Sequence, residues 1–147
     1  MVTHYYEDLS VGLSESLERT VTARDVDLFA EATGDRNPLH FDDAYARRSV
    51  FRGRVAHGAL SVGFVSAVIG MKLPGPGTIF VSAEVAFKAP VRIGETVTTT
   101  CTVKEIRPHR EVVLACRAMV GARVVVEGEA LVLAPKRPTP KPSAMKG

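Results

Sequence analysis

The chain contains no tryptophan, only 6% aromatic residues and just two cysteines in 147 residues. Its few aromatics are not interleaved with cations, which excludes a base-stacking nucleic-acid surface. Cys101 and Cys116 lie inside hydrophobic runs with no histidine at metal-ligand spacing. They read as core thiols in a reducing compartment, not as a disulfide framework or a zinc site. A basic segment followed by an apolar core is missing from Met1–Asp8, and the longest apolar stretch, Ala56–Met71, is short for a membrane span and rich in Gly and Ser. The expectation is a cytoplasmic protein with no membrane partner. A glycine loop able to cradle phosphate is also missing, because Pro74 and Pro76 in Pro74-Gly75-Pro76-Gly77 remove two amide donors.

What remains is ordinary for a globular protein: 46% hydrophobic and 24% charged residues, enough chain for one domain with a core that needs no staples. The net charge of +3 is misleading. Lys136, Arg137, Lys141 and Lys146 stand in the Pro135–Gly147 tail with no acid among them, and without them 15 basic residues face 16 acidic ones. The division expected is a domain over 1–134 and a disordered Pro/Lys-rich tail over 135–147. A basic tail of this kind is a solvated terminus more readily than a nucleic-acid arm.

Leu17–Thr22 reads as a short strand leading into a helix. Thr22 is a good N-cap with Asp25 three residues later, Val26, Phe29 and Ala30 fall on one face, and Gly34 is placed to end the helix. Pro38 then forces Asn37 out of the α region, and a short helix follows near Asp42–Ser49. From His57 to Met71 the pattern predicts a helix that is apolar all round and therefore buried all round, stopped by the Pro/Gly run. Thr78–Pro90, Glu95–Ile106, Glu111–Val120 and Arg123–Leu133 read as β-branched strands. Arg92-Ile93-Gly94 and Gly121-Ala122 are expected to be hairpin turns between antiparallel neighbours. One buried helix and about five strands give an α+β architecture, an antiparallel sheet curled around a central helix in the hot-dog manner. Such a sheet leaves edges that a second copy can cover, so a homodimer or higher homo-oligomer is expected.

The chemistry concentrates in Thr33-Gly34-Asp35-Arg36-Asn37-Pro38-Leu39-His40. Asp35 and His40 stand five apart across a rigid turn and can converge on one water as an acid/base pair. Read alone, the same loop is equally an ordinary turn, with Asp35 after a helix-ending glycine and Asn37-Pro38 as a turn dipeptide.

The wider string Phe29–Ala46 closely resembles the hydratase motif of the MaoC-like family, which includes the (R)-specific enoyl-CoA hydratases. The motif is Gly-Asp-x-Asn-Pro-(aliphatic)-His followed by a small residue, met here by Gly34 to His40 and Ala46. Val55-Ala56-His57-Gly58-Ala59-Leu60 resembles the start of that family's central helix, and Ser66 falls where many of its members carry a serine. The resemblance runs over roughly Val11–Leu133. It implies a hot-dog fold and the reversible hydration of a trans-2-enoyl thioester to the (R)-3-hydroxyacyl thioester, without metal or redox cofactor. CoA, or an acyl carrier protein, would belong to the substrate. By the resemblance, Asp35 and His40 activate water toward C3 and deliver a proton to C2. The Gly58 amide, at a helix N-terminus where free N–H groups favour an anion, holds the thioester oxygen.

The remaining candidates stay open between two readings. His57 either orients the loop or the oxyanion site, or is a hydrogen-bonded structural residue. Ser66 either supports the catalytic loop or packs as a small residue. Asn37 stabilises the turn. Arg47, Arg48, Arg52, Arg54 and Lys88 either meet the CoA phosphates or form a solvated charged face. A hot-dog thioesterase would place its carboxylate on a helix without this loop. A non-catalytic acyl-CoA-binding module would carry a broken Asp/His pair, and here both residues are present.

Overall fold

The computed structural model describes residues 2–140. A 3-10 turn, Tyr6–Asp8, is followed by β1 (Ser14–Thr20), α1 (Ala23–Thr33), the short helices α2 (Pro38–Phe41) and α3 (Asp43–Arg47), and α4 (Gly58–Met71). Four strands complete the chain: β2 (Ile79–Phe87), β3 (Thr96–Ile106), β4 (Glu111–Val120) and β5 (Arg123–Leu133). All five strands form one antiparallel sheet in the order β1-β3-β4-β5-β2, with α4 packed against it. This is the expected hot-dog arrangement.

Local signals explain most element boundaries. The Thr22 hydroxyl accepts from the Asp25 N–H at 3.1 Å while the Asp25 carboxylate accepts from the Thr22 N–H at 2.9 Å, so the capping box satisfies two donors that would otherwise lack partners. Gly34 ends α1 at φ 81°, a left-handed conformation that suits glycine. Asn37, at φ −52° and ψ 128°, sits outside the helix as Pro38 requires, and its side chain caps α2 by accepting from the Leu39 N–H at 3.1 Å. Asp42 does the same for α3, accepting from Tyr45 at 2.9 Å.

Two expectations are corrected. Gly121-Ala122 does join the neighbours β4 and β5, but Arg92-Ile93-Gly94 is not a hairpin between β2 and β3. Gly94 turns at φ 95° and donates to Val21 at 2.7 Å, so the turn aligns β3 with β1. The connection meanwhile crosses from β2, which lies at the far edge beside β5. The second correction concerns α4, which is not buried all round. Ser61, Val65, Val68 and Ile69 face the sheet, whereas Ala59, Gly63, Ser66 and Met71 are exposed.

The core lies between α4 and the concave face of the sheet, where Ile69, Leu73, Leu114, Val103 and Val112 are fully buried. Each of these large side chains contributes about 1.5–3 kcal/mol by leaving water. A second cluster, with Val21, Val26, Ala56, Val97 and Val125, anchors α1 and the segment before α4. Cys101 and Cys116 face each other across β3 and β4, both free and buried, with sulfurs 3.5 Å apart. The hydrogen bond with Cys116, together with burial, pushes the Cys101 thiol far above its ordinary range and keeps it protonated and inert.

The first residues of the expected tail contact the N-terminal segment. Pro135 accepts from the Tyr6 N–H at 2.8 Å, the Arg137 N–H donates to Glu7 at 3.0 Å, and the Arg137 guanidinium pairs with Asp8. These contacts hold the first tail residues against the N-terminal 3-10 turn. The rest of the tail, from Lys141, lies outside the described residues.

Candidate active site

Asp35 follows the glycine that ends α1, and His40 sits in the turn of helix that Pro38 starts and Asn37 caps. The loop is braced internally: the Asp35 N–H donates to the Thr33 hydroxyl, and the Asp35 carboxylate accepts from the Asn37 N–H, both at 3.2 Å. Asp35 is exposed, whereas His40 is buried at 8% exposure, so the pair is half on the surface and half in the wall.

The segment before α4 is laced to this loop. Val55 N–H donates to Leu39 at 3.3 Å, the Arg54 Nε donates to the His40 carbonyl at 2.7 Å, and Ala56 N–H donates to Val91 at 2.7 Å. These bonds bring the two sequence motifs, Gly34–His40 and Val55–Leu60, side by side. His57, only 2% exposed, is the N-cap of α4 and stacks between Phe29, with ring centroids 4.6 Å apart, and His40, at 3.9 Å.

The hydrogen bonds determine both histidine tautomers, because each partner is a carbonyl that can only accept. His40 donates through Nδ1 to Val55 at 2.7 Å, leaving Nε2 as its free nitrogen. His57 donates through Nε2 to the Asp35 carbonyl at 2.9 Å, leaving a buried Nδ1 without a partner among the described residues. Asp35, His40 and His57 bring one ligand atom each within 4.8 Å of the others. They are the described residues placed to hold a water or an ion together.

Gly58 opens α4, and among the described residues nothing accepts from its N–H. A Cβ at this position would stand 2.9 Å from the Phe87 ring, so glycine lets Phe87 close over the helix start. The free amide, at the positive end of a fourteen-residue helix, is suited to a developing oxyanion. His40, His57, Gly58, Ser61, Phe87 and Lys88 all line a cavity of about 290 Å³. A larger groove of about 620 Å³ at the other end of α4, between Leu17, Phe64 and Met71, lies apart from this cluster.

The other expected residues divide. Asn37 holds the turn, as read. Lys88 lines the cavity with its ammonium 3.9 Å from Glu127. Arg54 is occupied in positioning the His40 carbonyl, and Arg52 is exposed at φ 57° outside the cavity lining. Ser66 does not reach the loop: it is exposed, makes no side-chain hydrogen bond among the described residues, and stands eight residues, about 12 Å, along the helix from Gly58. Ser61, one turn after His57, is the serine on the cavity wall. The i to i+4 spacing from His57 is the signal that finds it.

Comparison with known proteins places the chain among named hydratases and dehydratases. The family description "MaoC like domain" matches residues 11–122. The chain is 48% identical over 138 residues to the (R)-specific enoyl-CoA hydratase of Rhodospirillum rubrum, covering 93% of this chain and 96% of that protein. It is 48% identical over 143 residues to the 3-hydroxybutyryl-CoA dehydratase of Methylorubrum extorquens, covering 97% and 91%. Among solved structures, the unliganded R-hydratase PhaJ1 from Pseudomonas aeruginosa superposes with a TM-score of 0.87 at 36% identity, over 99% of this chain and 97% of that one. The chain therefore belongs to the MaoC-like domain family.

Proposed function

We propose that the protein catalyses the reversible hydration of a trans-2-enoyl-CoA to the (R)-3-hydroxyacyl-CoA, with Asp35 and His40 as the acid/base pair and Gly58 as the oxyanion donor. One observation carries this reading: His40, with its Nε2 free, and the unpaired Gly58 amide line one small cavity, and the Asp35 side chain lies within 4.8 Å of the histidines in that wall. The names of the relatives at 48% identity support the same reaction.

In this reaction the thioester oxygen lies against the Gly58 N–H, which draws electron density from the alkene toward the carbonyl. One member of the Asp35/His40 pair removes a proton from the water as its oxygen bonds to C3. The alkene π pair moves toward C2, and the other member, which carries a proton into the step, delivers it there. Across the step one water O–H and the π bond break, while a C3–O and a C2–H bond form. Passing the proton back between the two residues resets the site. No second reading has an observation of its own: a hot-dog thioesterase would carry its carboxylate on a helix, and Asp35 lies in the loop after α1.

Lys88 is the cation best placed to meet the pantetheine or nucleotide end of CoA, since it alone of Arg52, Arg54 and Lys88 lines the cavity without bonding to the loop. The small cavity and the relative named for 3-hydroxybutyryl-CoA favour a short acyl chain. With crotonyl-CoA, purified protein is expected to remove the conjugated thioester absorbance without releasing free thiol. Thiol release in place of hydration overturns the reading in favour of hydrolysis.

The working form in this reading is a homodimer joined along β2. The two sheet edges are unlike: β1 presents Ser14, Glu15, Ser16, Glu18 and Arg19, a polar edge that discourages pairing, whereas β2 leaves Ile79, Val81 and Phe87 at least half exposed. The uncovered face of α4 also has open space at Gly63 and Gly70. Light scattering is expected to give twice the 15.8 kDa chain mass. Val81→Lys is expected to give the single-chain mass, and an unchanged dimer in that variant would move the interface elsewhere.

A further inference from the structure

Resting on the hydratase reading, we propose that His57 is a third catalytic residue, whose Nδ1 accepts one O–H of the reacting water while Asp35 and His40 handle the other. The starting point is a polar atom without a partner. His57 is 2% exposed, its Nε2 is committed to the Asp35 carbonyl at 2.9 Å, and its Nδ1 is buried with no hydrogen bond among the described residues. A buried acceptor of this kind calls for a donor. The residues clustered with His57 are Asp35 and His40, whose Nε2 is left free by the bond from Nδ1 to Val55, and neither makes a hydrogen bond to His57 Nδ1.

The spacing admits a water as that donor. Ligand atoms of the three residues lie within 4.8 Å of one another, and two groups sharing one water at about 2.8 Å and a tetrahedral angle stand about 4.6 Å apart.

A water has two protons and two lone pairs, and this arrangement assigns them. One O–H points to His57 Nδ1 and is held there without transfer. The other goes to whichever of Asp35 and His40 acts as base, and a lone pair is thereby turned toward C3. A water bonded to the base alone would rotate about that bond; the second anchor removes the rotation and keeps the attacking lone pair aligned. His57 also donates to the backbone of Asp35, so the residue that aims the water holds the carboxylate's loop as well.

These two tasks use different nitrogens, and amide substitutions separate them. In His57→Asn the side-chain oxygen falls near the Nδ1 position and retains the acceptor, but the bond to the Asp35 carbonyl is lost. In His57→Gln the amide nitrogen falls near Nε2 and retains that bond, but the acceptor is lost. With crotonyl-CoA, the expected result is a fall of about 10²-fold in kcat for His57→Gln, with KM little changed, and a fall of less than about tenfold for His57→Asn. Thermal melting of both variants identifies any loss that is merely unfolding. Gln equal to or better than Asn, in folded variants, overturns the role in water binding and leaves His57 as a brace for the loop. A wild type that is itself inactive toward enoyl thioesters overturns the hydratase reading and this proposal together.

Discussion

Asp35→Asn is expected to lower kcat about 10³-fold, within the range a positioned acid or base supplies, while Tm stays at the wild-type value. The asparagine oxygen still accepts from the Asn37 N–H, as the carboxylate does at 3.2 Å, so the loop keeps its shape. Asp35 is exposed, and the substitution therefore buries no new polar group. What changes is the chemistry: an amide neither takes a proton from the water nor gives one to C2, and its N–H₂ donates where the carboxylate accepted. Because the contact with the thioester is untouched, KM moves little and the loss falls on kcat. Steady-state kinetics with crotonyl-CoA, alongside a melting curve, checks both halves. A folded variant within tenfold of wild type would remove Asp35 from the chemistry.

His40→Ala is expected to lose a similar factor of about 10³ in kcat, or about 4 kcal/mol of transition-state stabilisation, but it also lowers Tm. His40 is buried and its Nδ1–H is the donor to the Val55 carbonyl at 2.7 Å. Alanine leaves that buried acceptor unpaired, at a cost of about 1–3 kcal/mol. His40→Asn separates the two effects, since its amide nitrogen falls near the Nδ1 position and can donate to Val55, while nothing replaces Nε2. It is expected to recover most of the lost Tm and none of the lost kcat. Recovery of activity in this variant would show that His40 acts by holding the loop and not through Nε2.

Where a signal is local, the sequence was a good guide. The capping box of Thr22 and Asp25, the glycine that ends α1 and the departure of Asn37 from the helix before Pro38 depend on residues within four positions of one another, and each is found as read. So are β4 and β5, bounded by turn residues at both ends. What failed depends on distant partners. Arg92-Ile93-Gly94 has the composition of a hairpin and does turn, but its hydrogen bond goes to Val21, some seventy residues away in sequence. No local pattern distinguishes a hairpin from a crossover in that case. The apolar character of α4 was clear, but one sheet covers only one side of a helix. In the proposed homodimer a second chain covers the exposed side.

The candidate site shows the same division. Asp35, His40 and Gly58 could be singled out because a specific motif places them in two short segments. That His40 is buried, that Arg54 is occupied by the His40 carbonyl and that Phe29 stacks on His57 all follow from the packing of those segments. The family pattern leaves Ser66 open between supporting the loop and packing as a small residue, and it is exposed without a side-chain hydrogen bond among the described residues. Helical arithmetic from His57 favours Ser61 instead, and the cavity wall agrees.

The central claim is that one water, held between Asp35 and His40, gives its oxygen to C3 on the same face of the alkene that receives the proton at C2. Hydration of crotonyl-CoA in D₂O tests this directly, with the relative configuration at C2 and C3 read from proton couplings and the configuration at C3 from an (R)-specific dehydrogenase. The expected product is a single (R)-3-hydroxybutyryl-CoA with one deuterium at C2, added syn to the oxygen. Anti addition or deuterium scrambled over both faces of C2 would contradict a single shared water site, and (S) product would contradict the (R) assignment.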